Sequence, residues 1–199
     1  MTLLDDTPVS EAAAARRAMI DSQLRVSGVN DPAVLSAMQA VAREDFVPAP
    51  LQGSAYIDRA LPLGDGHALA APLVHGRILT EAMPVPGQAV LVVSPTGYLA
   101  ALATQMGAEV TSLTPAEGAS AKKGTEISLI LIDGAIEQLP AGLAGRLGEG
   151  GRIVTGTVEH GVTRLAVGRK VAGEVALIPL ADIGIPVLPE FAAPKRWSF

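Results

Sequence analysis

The sequence predicts an α/β domain in which N-terminal helices lead into strands and helices wound around a mostly parallel sheet, closed by an antiparallel hairpin. Three observations carry this. Residues 89–93 (AVLVV) form an unbroken apolar run that fits a strand buried on both faces. The turn Ser94-Pro95-Thr96-Gly97 breaks it, Leu99, Leu102, Ala103 and Met106 then recur at helical spacing, and Gly107 leads into a second strand over 108–113. Residues 127–132 (ISLILI) repeat the buried-strand pattern, and 162–169 and 174–180 alternate as a hairpin should. Strand, turn, helix, strand is a βαβ unit, whose first turn is where such folds bind nucleotides.

Composition bounds the possibilities. The chain has 199 residues, 49% hydrophobic and 18% charged, enough for one domain with a full core. The expected layout is a single domain over 1–199, with a helical and loop-rich subregion over 1–83 and the βαβ core over 84–199. A net charge of −5 gives no basic stripe for nucleic acid. Without cysteine there is no disulfide, thiol nucleophile or thiolate metal site. The opening MTLLDDTPVSE lacks the charged and apolar regions of a signal peptide. Apolar runs fall far short of the ~20 residues that span a bilayer. A soluble cytoplasmic protein without membrane or nucleic-acid partners is expected.

In chain order, Ser10 is placed to cap a helix through EAAAARRAMIDSQLR, which Gly28 stops. Asp31 caps a second helix with Pro32 in its first turn and Val34, Leu35, Met38 and Val41 on its apolar face. About thirty residues rich in Pro and Gly follow, an irregular segment of the kind often found at a site, or else a wrapped connector. A third helix over 72–83 points Leu73, Ile78, Leu79 and Met83 inward. After the βαβ unit, 114–126 is short, small and polar. Asp133-Gly134 ends the 127–132 strand, a helix weakened by Pro140 occupies 136–147, and Gly148–Gly151 turns into a strand over 152–157. Trp197 and Phe199 in the Pro-rich tail are expected to pack on the domain.

The first eighty residues also carry a specific pattern. Met19-Ile20-Asp21-Ser22-Gln23-Leu24 reads M-x-x-x-Q-L. Residues 34–48 read V-L-x-A-M-x-x-V-x-R-x-x-F-V-P, and 55–64 read A-Y-x-D-x-x-L-P-x-G. This resembles the amino-terminal third of the protein-L-isoaspartate O-methyltransferases, and Gly150-Gly151-Arg152-Ile153-Val154 is similar to a later glycine turn and strand of that family. The resemblance implies a Rossmann-like S-adenosylmethionine-dependent methyltransferase that methylates isoaspartyl carboxylates of damaged proteins, a protein-repair activity. The acceptor carboxylate is already ionised at pH 7, so catalysis would rest on positioning rather than on a strong base.

Several positions depart from the family pattern V-L-[DE]-x-G-x-G-[ST]-G-Y. Aligned on Gly97-Tyr98, the acidic position is Leu91, the first glycine Val93 and the second Pro95. Val93 adds a branched side chain where the backbone must approach a ligand, and Pro95 fixes φ and removes an N–H. The ribose-binding acidic position falls on Thr114, with Glu117 nearby as a substitute or as an ordinary surface carboxylate. Residues 114–126 are too few for the helix, strand and acidic turn the family places there, so the middle of the sheet is expected to be trimmed. In the acceptor loop the family's hydroxyls become Ala68 and Ala70, leaving no intact catalytic residue.

On the resemblance, Gly97, Tyr98, Thr114 and Asp133 are the candidate cofactor-binding residues, and Pro72 and His75 the candidate substrate residues. Asp133 either faces the cleft or caps the following turn, and His75 is a ligand or a core or surface histidine. His67, His75 and His160 lack metal-ligand spacing, so no metal is expected. Two main readings follow. One is an isoaspartyl methyltransferase of weak or altered activity, acting on a protein or peptide with isoaspartyl residues. The other is a non-catalytic descendant that keeps the fold and binds a partner. A remodelled nucleotide site is a third reading, with no positive motif behind it.

Overall fold

The computed structural model describes residues 11–194. Ser10, Trp197 and Phe199 lie outside them. Helix α1 (Glu11–Met19) continues through a π turn (Ile20–Leu24) and a 3-10 turn to Gly28, so the Ala-rich run forms one helical rod as its propensity requires. Helix α2 (Pro32–Ala40) starts at Asp31, whose Oδ1 accepts the amides of Ala33 and Val34 at 2.9 and 3.0 Å. Two 3-10 turns follow, then a small antiparallel hairpin of β1 (Leu61–Gly64) and β2 (His67–Leu69), and then α3 (Pro72–Ala82).

The βαβ unit forms as expected from β3 (Ala89–Val93), α4 (Tyr98–Gln105) and β4 (Glu109–Leu113). Beyond it come the short α5 (Pro115–Ala119), β5 (Ile127–Ile136), α6 (Ala141–Ala144), β6 (Leu147–Glu159), β7 (Val162–Val171) and β8 (Glu174–Asp182). The strand order is β4-β3-β5-β6-β7-β8. β4, β3, β5 and β6 are mutually parallel, and β7 and β8 extend the sheet antiparallel. Among the described residues the sheet ends at β4, which has only a five-residue helix and no further strand beyond it.

Alternate residues of β3 and β5 serve two separate cores. Val90, Val92, Leu129 and Leu131 pack with α1 to α4 on one face. Leu91, Val93, Ile130 and Ile132 pack on the other with Leu143, Leu147, Leu188 and Phe191.

The structure departs from the sequence expectations at five points. The Pro- and Gly-rich segment contains the β1–β2 hairpin, because Gly64, Asp65 and Gly66 all take positive φ and turn the chain tightly. Met83 is exposed rather than inward, since the chain leaves α3 there in a left-handed conformation. The helix expected over 136–147 shrinks to α6, because Ile136 belongs to β5 and Pro140 cannot sit inside a helix. β6 begins at Leu147, taking in residues 148–151 that read as a turn. Finally, β5 does not stop at Asp133: Leu131 to Ala135 spans four steps against two from Val154 to Gly156 on β6, a bulge that carries Asp133 and Gly134 within the strand.

Candidate functional site

In open α/β sheets, ligands bind outside the carboxyl ends of the strands where the chain order reverses. Here that point lies between β3 and β5, since the chain goes from β3 to β4 on one side and returns to β5 on the other. The Ser94–Gly97 turn leaves β3, and the Asp133 bulge interrupts β5 beside it. Under this crevice five elements bring together Arg43 from a 3-10 turn, His75 from α3, Ser94 from the turn, Tyr98 from α4 and Asp133 from β5. All five side chains are buried.

Arg43 organises the cluster. Its Nε donates to Ala55 O at 2.6 Å, its Nη2 to Ala70 O, and its Nη1 meets His75 Nδ1 at 3.2 Å. Arginine has only donors, so His75 Nδ1 must accept, which puts the imidazole proton on Nε2. That nitrogen lies 3.0 Å from Asp133 Oδ1, a close contact without the alignment of a good hydrogen bond. Ser94 Oγ donates to Asp133 Oδ2 at 2.7 Å and accepts the amides of Thr96 and Gly97 at 3.3 and 3.0 Å. Tyr98 lies beneath: Phe46 tilts against its ring at 5.2 Å, the His75 ring stands edge-on at 5.0 Å, and the Arg43 guanidinium sits 5.2 Å from its centre.

The electrostatics follow from burial. Burial lowers the Arg43 guanidinium from its ordinary value, partly offset by Tyr98 and Asp133. Burial alone would raise the Asp133 carboxyl, but His75, Ser94 and Arg43 outweigh it and hold the carboxyl below its usual range. One cation and one carboxylate thus balance inside the protein, which such groups require when taken out of water.

A nucleotide cradle needs backbone N–H groups aimed outward and room for the ligand. Here the amides of Thr96 and Gly97 point back to Ser94 Oγ, and that of Tyr98 to Thr96 Oγ1 at 3.2 Å. Beyond the turn the space is filled. A Cβ built on Gly118 would lie 2.8 Å from Val93 Cγ1 and 3.2 Å from Phe191 Cζ, and one on Gly134 would run into the Leu188 side chain. Glycine is therefore needed at both places for close approach. A cleft of about 390 Å³ lies at the amino ends of β3, β5 and β6, between Gln88, Glu126, Gly150 and Arg152.

Of the residues singled out in the sequence, Gly97, Tyr98, His75 and Asp133 come together, and Pro72 opens the helix that carries His75. Thr114 stands apart at the exposed end of β4. It forms a capping box with Glu117, accepting the Glu117 amide at 3.3 Å while its own amide donates to Glu117 Oε2 at 2.8 Å. Ala68 pairs with Pro62 in the β1–β2 hairpin, and Ala70 supplies a carbonyl to Arg43. Sequence reasoning missed Arg43, although it stands in the V-x-R-x-x-F-V-P block. It also missed Arg16, which joins Tyr56 Oη at 2.7 Å and Glu44 at 3.1 Å and ties α1 to the loops around the cluster. Among the described residues no group of three or more His, Asp or Glu is placed to hold a metal ion, and no helix is long and apolar enough to cross a membrane.

Strand order and the place of the turn define a Rossmann-like α/β domain. The protein-L-isoaspartate(D-aspartate) O-methyltransferase family matches residues 14–118. A protein-L-isoaspartate O-methyltransferase of Koribacter versatilis is 34% identical over 193 residues, covering 84% of this chain and 87% of that protein. One from Methylorubrum extorquens is 42% identical over 104 residues, spanning 52% of this chain and 46% of that one. The chain belongs to the protein-L-isoaspartate O-methyltransferase family. In three dimensions it is similar to a structure from Plasmodium falciparum described as a beta-aspartate methyltransferase in complex with S-adenosyl-L-homocysteine. The TM-score is 0.71 at 18% identity, over 91% of this chain and 99% of that one. A second solved protein-L-isoaspartate O-methyltransferase gives a TM-score of 0.68 at 16% identity, over 86% of this chain and 65% of that one.

Proposed function

We propose that this member of the family is a non-catalytic binding protein that keeps the fold of the protein-repair methyltransferases without holding S-adenosylmethionine. The observation that carries this reading is the turn after β3. Its amides at Thr96 and Gly97 are spent on Ser94 Oγ, itself tied to buried Asp133, so neither is left for a ligand. S-adenosylmethionine does not fit the residues present: Leu91 stands at the acidic position, and Val93 and Pro95 replace the two glycines. On the acceptor side Ala68 and Ala70 offer no hydroxyl to position a carboxylate. Cofactor and acceptor contacts are thus lost together, and methyl transfer between bound partners depends on both.

The second reading is the family activity, S-adenosylmethionine-dependent methylation of isoaspartyl carboxylates in damaged proteins. The match over residues 14–118 and the retained Gly97-Tyr98 pair favour it. On that reading Gly97, Tyr98, Thr114 and Asp133 would border the cofactor, and Pro72 and His75 the peptide.

Calorimetry with S-adenosylhomocysteine separates the two. The expected result is no heat of binding and no thermal shift. An affinity near 1 μM, about −8 kcal/mol, would overturn the non-catalytic reading and leave the family activity standing.

A further inference from the structure

The segment after β8 returns across the molecule. Ala135 on β5 forms a parallel bridge with Val187; its amide donates to Pro186 O at 2.8 Å, and its carbonyl accepts the Leu188 amide at 2.9 Å. Phe191 O then accepts the amides of Glu137 and Gln138 at 3.2 Å each, Gln138 Nε2 donates to Ala192 O at 2.9 Å, and the Ala193 amide donates to Glu137 Oε2 at 2.7 Å. These bonds lay residues 186–193 along the end of β5.

What the segment inserts is apolar and deep. Leu188 and Phe191 are 2% and 0% exposed, as buried as the central strand residues of the same cluster. Leu188 sits against the bare backbone of Gly134, and Phe191 shares the space over Gly118 with Val93. The segment also reaches the acceptor-side hairpin. His67 Nε2 lies 2.8 Å from Glu190 Oε1, a contact between residues 123 apart in sequence, and a Cβ on Gly66 would lie 3.4 Å from Pro189 Cγ.

We infer that residues 186–193 form a permanent strap that occupies the crevice at the ends of β3 and β5, an internal occupant in the place where a ligand would otherwise lie. It joins β5, α5 and the β1–β2 hairpin into one body, so both the turn side and the acceptor side are closed by the chain itself. This goes beyond a turn whose amides are spent. A spent turn leaves a crevice that some other molecule can enter, whereas a strap excludes every ligand of nucleotide size. The burial of Leu188 and Phe191 distinguishes a strap from a lid. A lid that opens in the working cycle belongs to the weakly held parts of a protein, with few buried apolar contacts.

Hydrogen exchange on the full chain, with and without a millimolar excess of S-adenosylhomocysteine, tests this. The amides of Ala135, Glu137, Gln138 and Leu188 are expected to exchange as slowly as those of residues 129–132, unchanged by the probe. Fast exchange at these four with no effect of the probe would overturn the strap while leaving the spent turn intact. Faster exchange on adding the probe would mean that a ligand displaces the segment, and would overturn both. Probe binding that leaves the four amides protected would overturn the non-catalytic reading, and with it the claim that the strap excludes ligands. Leu188→Ala gives a second readout on the unliganded protein. The strap predicts a lower Tm together with loss of protection at Glu137 and Gln138, and a folded variant that keeps both the Tm and the protection would overturn it.

Discussion

On one face of the sheet a charge network is buried around Arg43, His75 and Asp133; on the other, beyond the ends of β3 and β5, Val93, Leu188 and Phe191 fill a comparable depth with hydrocarbon. The polar side lies within or beside the part of the chain that matches the family, since Arg43, His75, Ser94 and Tyr98 all fall in residues 14–118. The apolar side draws eight of its ten buried members from after residue 118. Two kinds of constraint are visible in this difference. A buried cation, carboxylate and imidazole hold one another in place, because losing any one strands the rest. An apolar site tolerates replacement when volume is kept. The crevice side is therefore the side where a ligand-binding surface can become a core without loss of the fold.

The largest expected effect follows from breaking the polar side. Arg43→Ala removes the buried cation that reaches the Asp133 carboxylate through His75 and frees the carbonyls of Ala55 and Ala70. Removing one partner of a buried pair costs about 3–5 kcal/mol. At about 2–4 °C per kcal/mol for a domain of this size, Tm should fall by roughly 10 °C or more. Replacing Arg43 and Asp133 together by Met and Leu should cost less than Arg43→Ala alone, since no unpaired charge remains. A double variant less stable than the single one would show that the network holds the fold by shape and not by charge balance.

How much of this was legible beforehand differs between the two sides. Leu91, Val93 and Pro95 could be read as fillers because turn geometry is local, and the helical spacing of Leu99, Leu102 and Ala103 located α4. Asp31 and Pro32 marked the start of α2 for the same reason. The strap was not legible: Phe191 meets Val93 across a separation that no periodicity encodes, and IPVLPEF has neither a helix nor a strand pattern. Asp133 looked like the end of a strand because the bulge that carries it depends on pairing with β6. Arg43 is followed by Glu44 and Asp45, a run of charges that reads as a solvated surface, and nothing local says that carbonyls from residues 55 and 70 will surround it. Thr114 and Glu117 could be read either way, as ligand groups or as a cap, because both uses need the same residue types at the same spacing.

A titration sharpens the comparison at its next level. The Asp133 carboxyl is held below its usual range in the folded protein. A carboxyl whose pKa falls on folding stabilises the protein above its unfolded value, near 3.9, and that contribution is lost as pH falls through the lower folded value. Urea midpoints of the wild type should therefore fall more steeply below about pH 4 than those of Asp133→Asn. The gap between the two proteins, wide at pH 7, should narrow on acidification. Parallel curves would mean that Asp133 carries no charge in the native state and that the face is polar without being ionic. No variant confined to Leu188 or Phe191 should change the slope, because neither titrates.

The smallest effect tests whether the apolar side depends on what lies at the edge of the sheet. Helix α5 is five residues long and starts at the Thr114–Glu117 capping box, the arrangement that satisfies free amides at a helix start. A helix so short has little stability of its own, so its position depends on its cap and on packing. That position matters because α5 carries Gly118, the residue against which Val93 and Phe191 close. Thr114→Ala removes the side-chain cap and should cost about 1 kcal/mol, seen as a Tm shift of a few degrees. If the cap also seats Gly118 over the strap, Thr114→Ala and Leu188→Ala will be coupled, and the double variant will lose less than the two singles added together. Strict additivity would make the cap a local fixture of the sheet edge. Coupling would extend the filled crevice to the end of β4, where Thr114 would then act as part of the closure and not as a contact for a bound ribose.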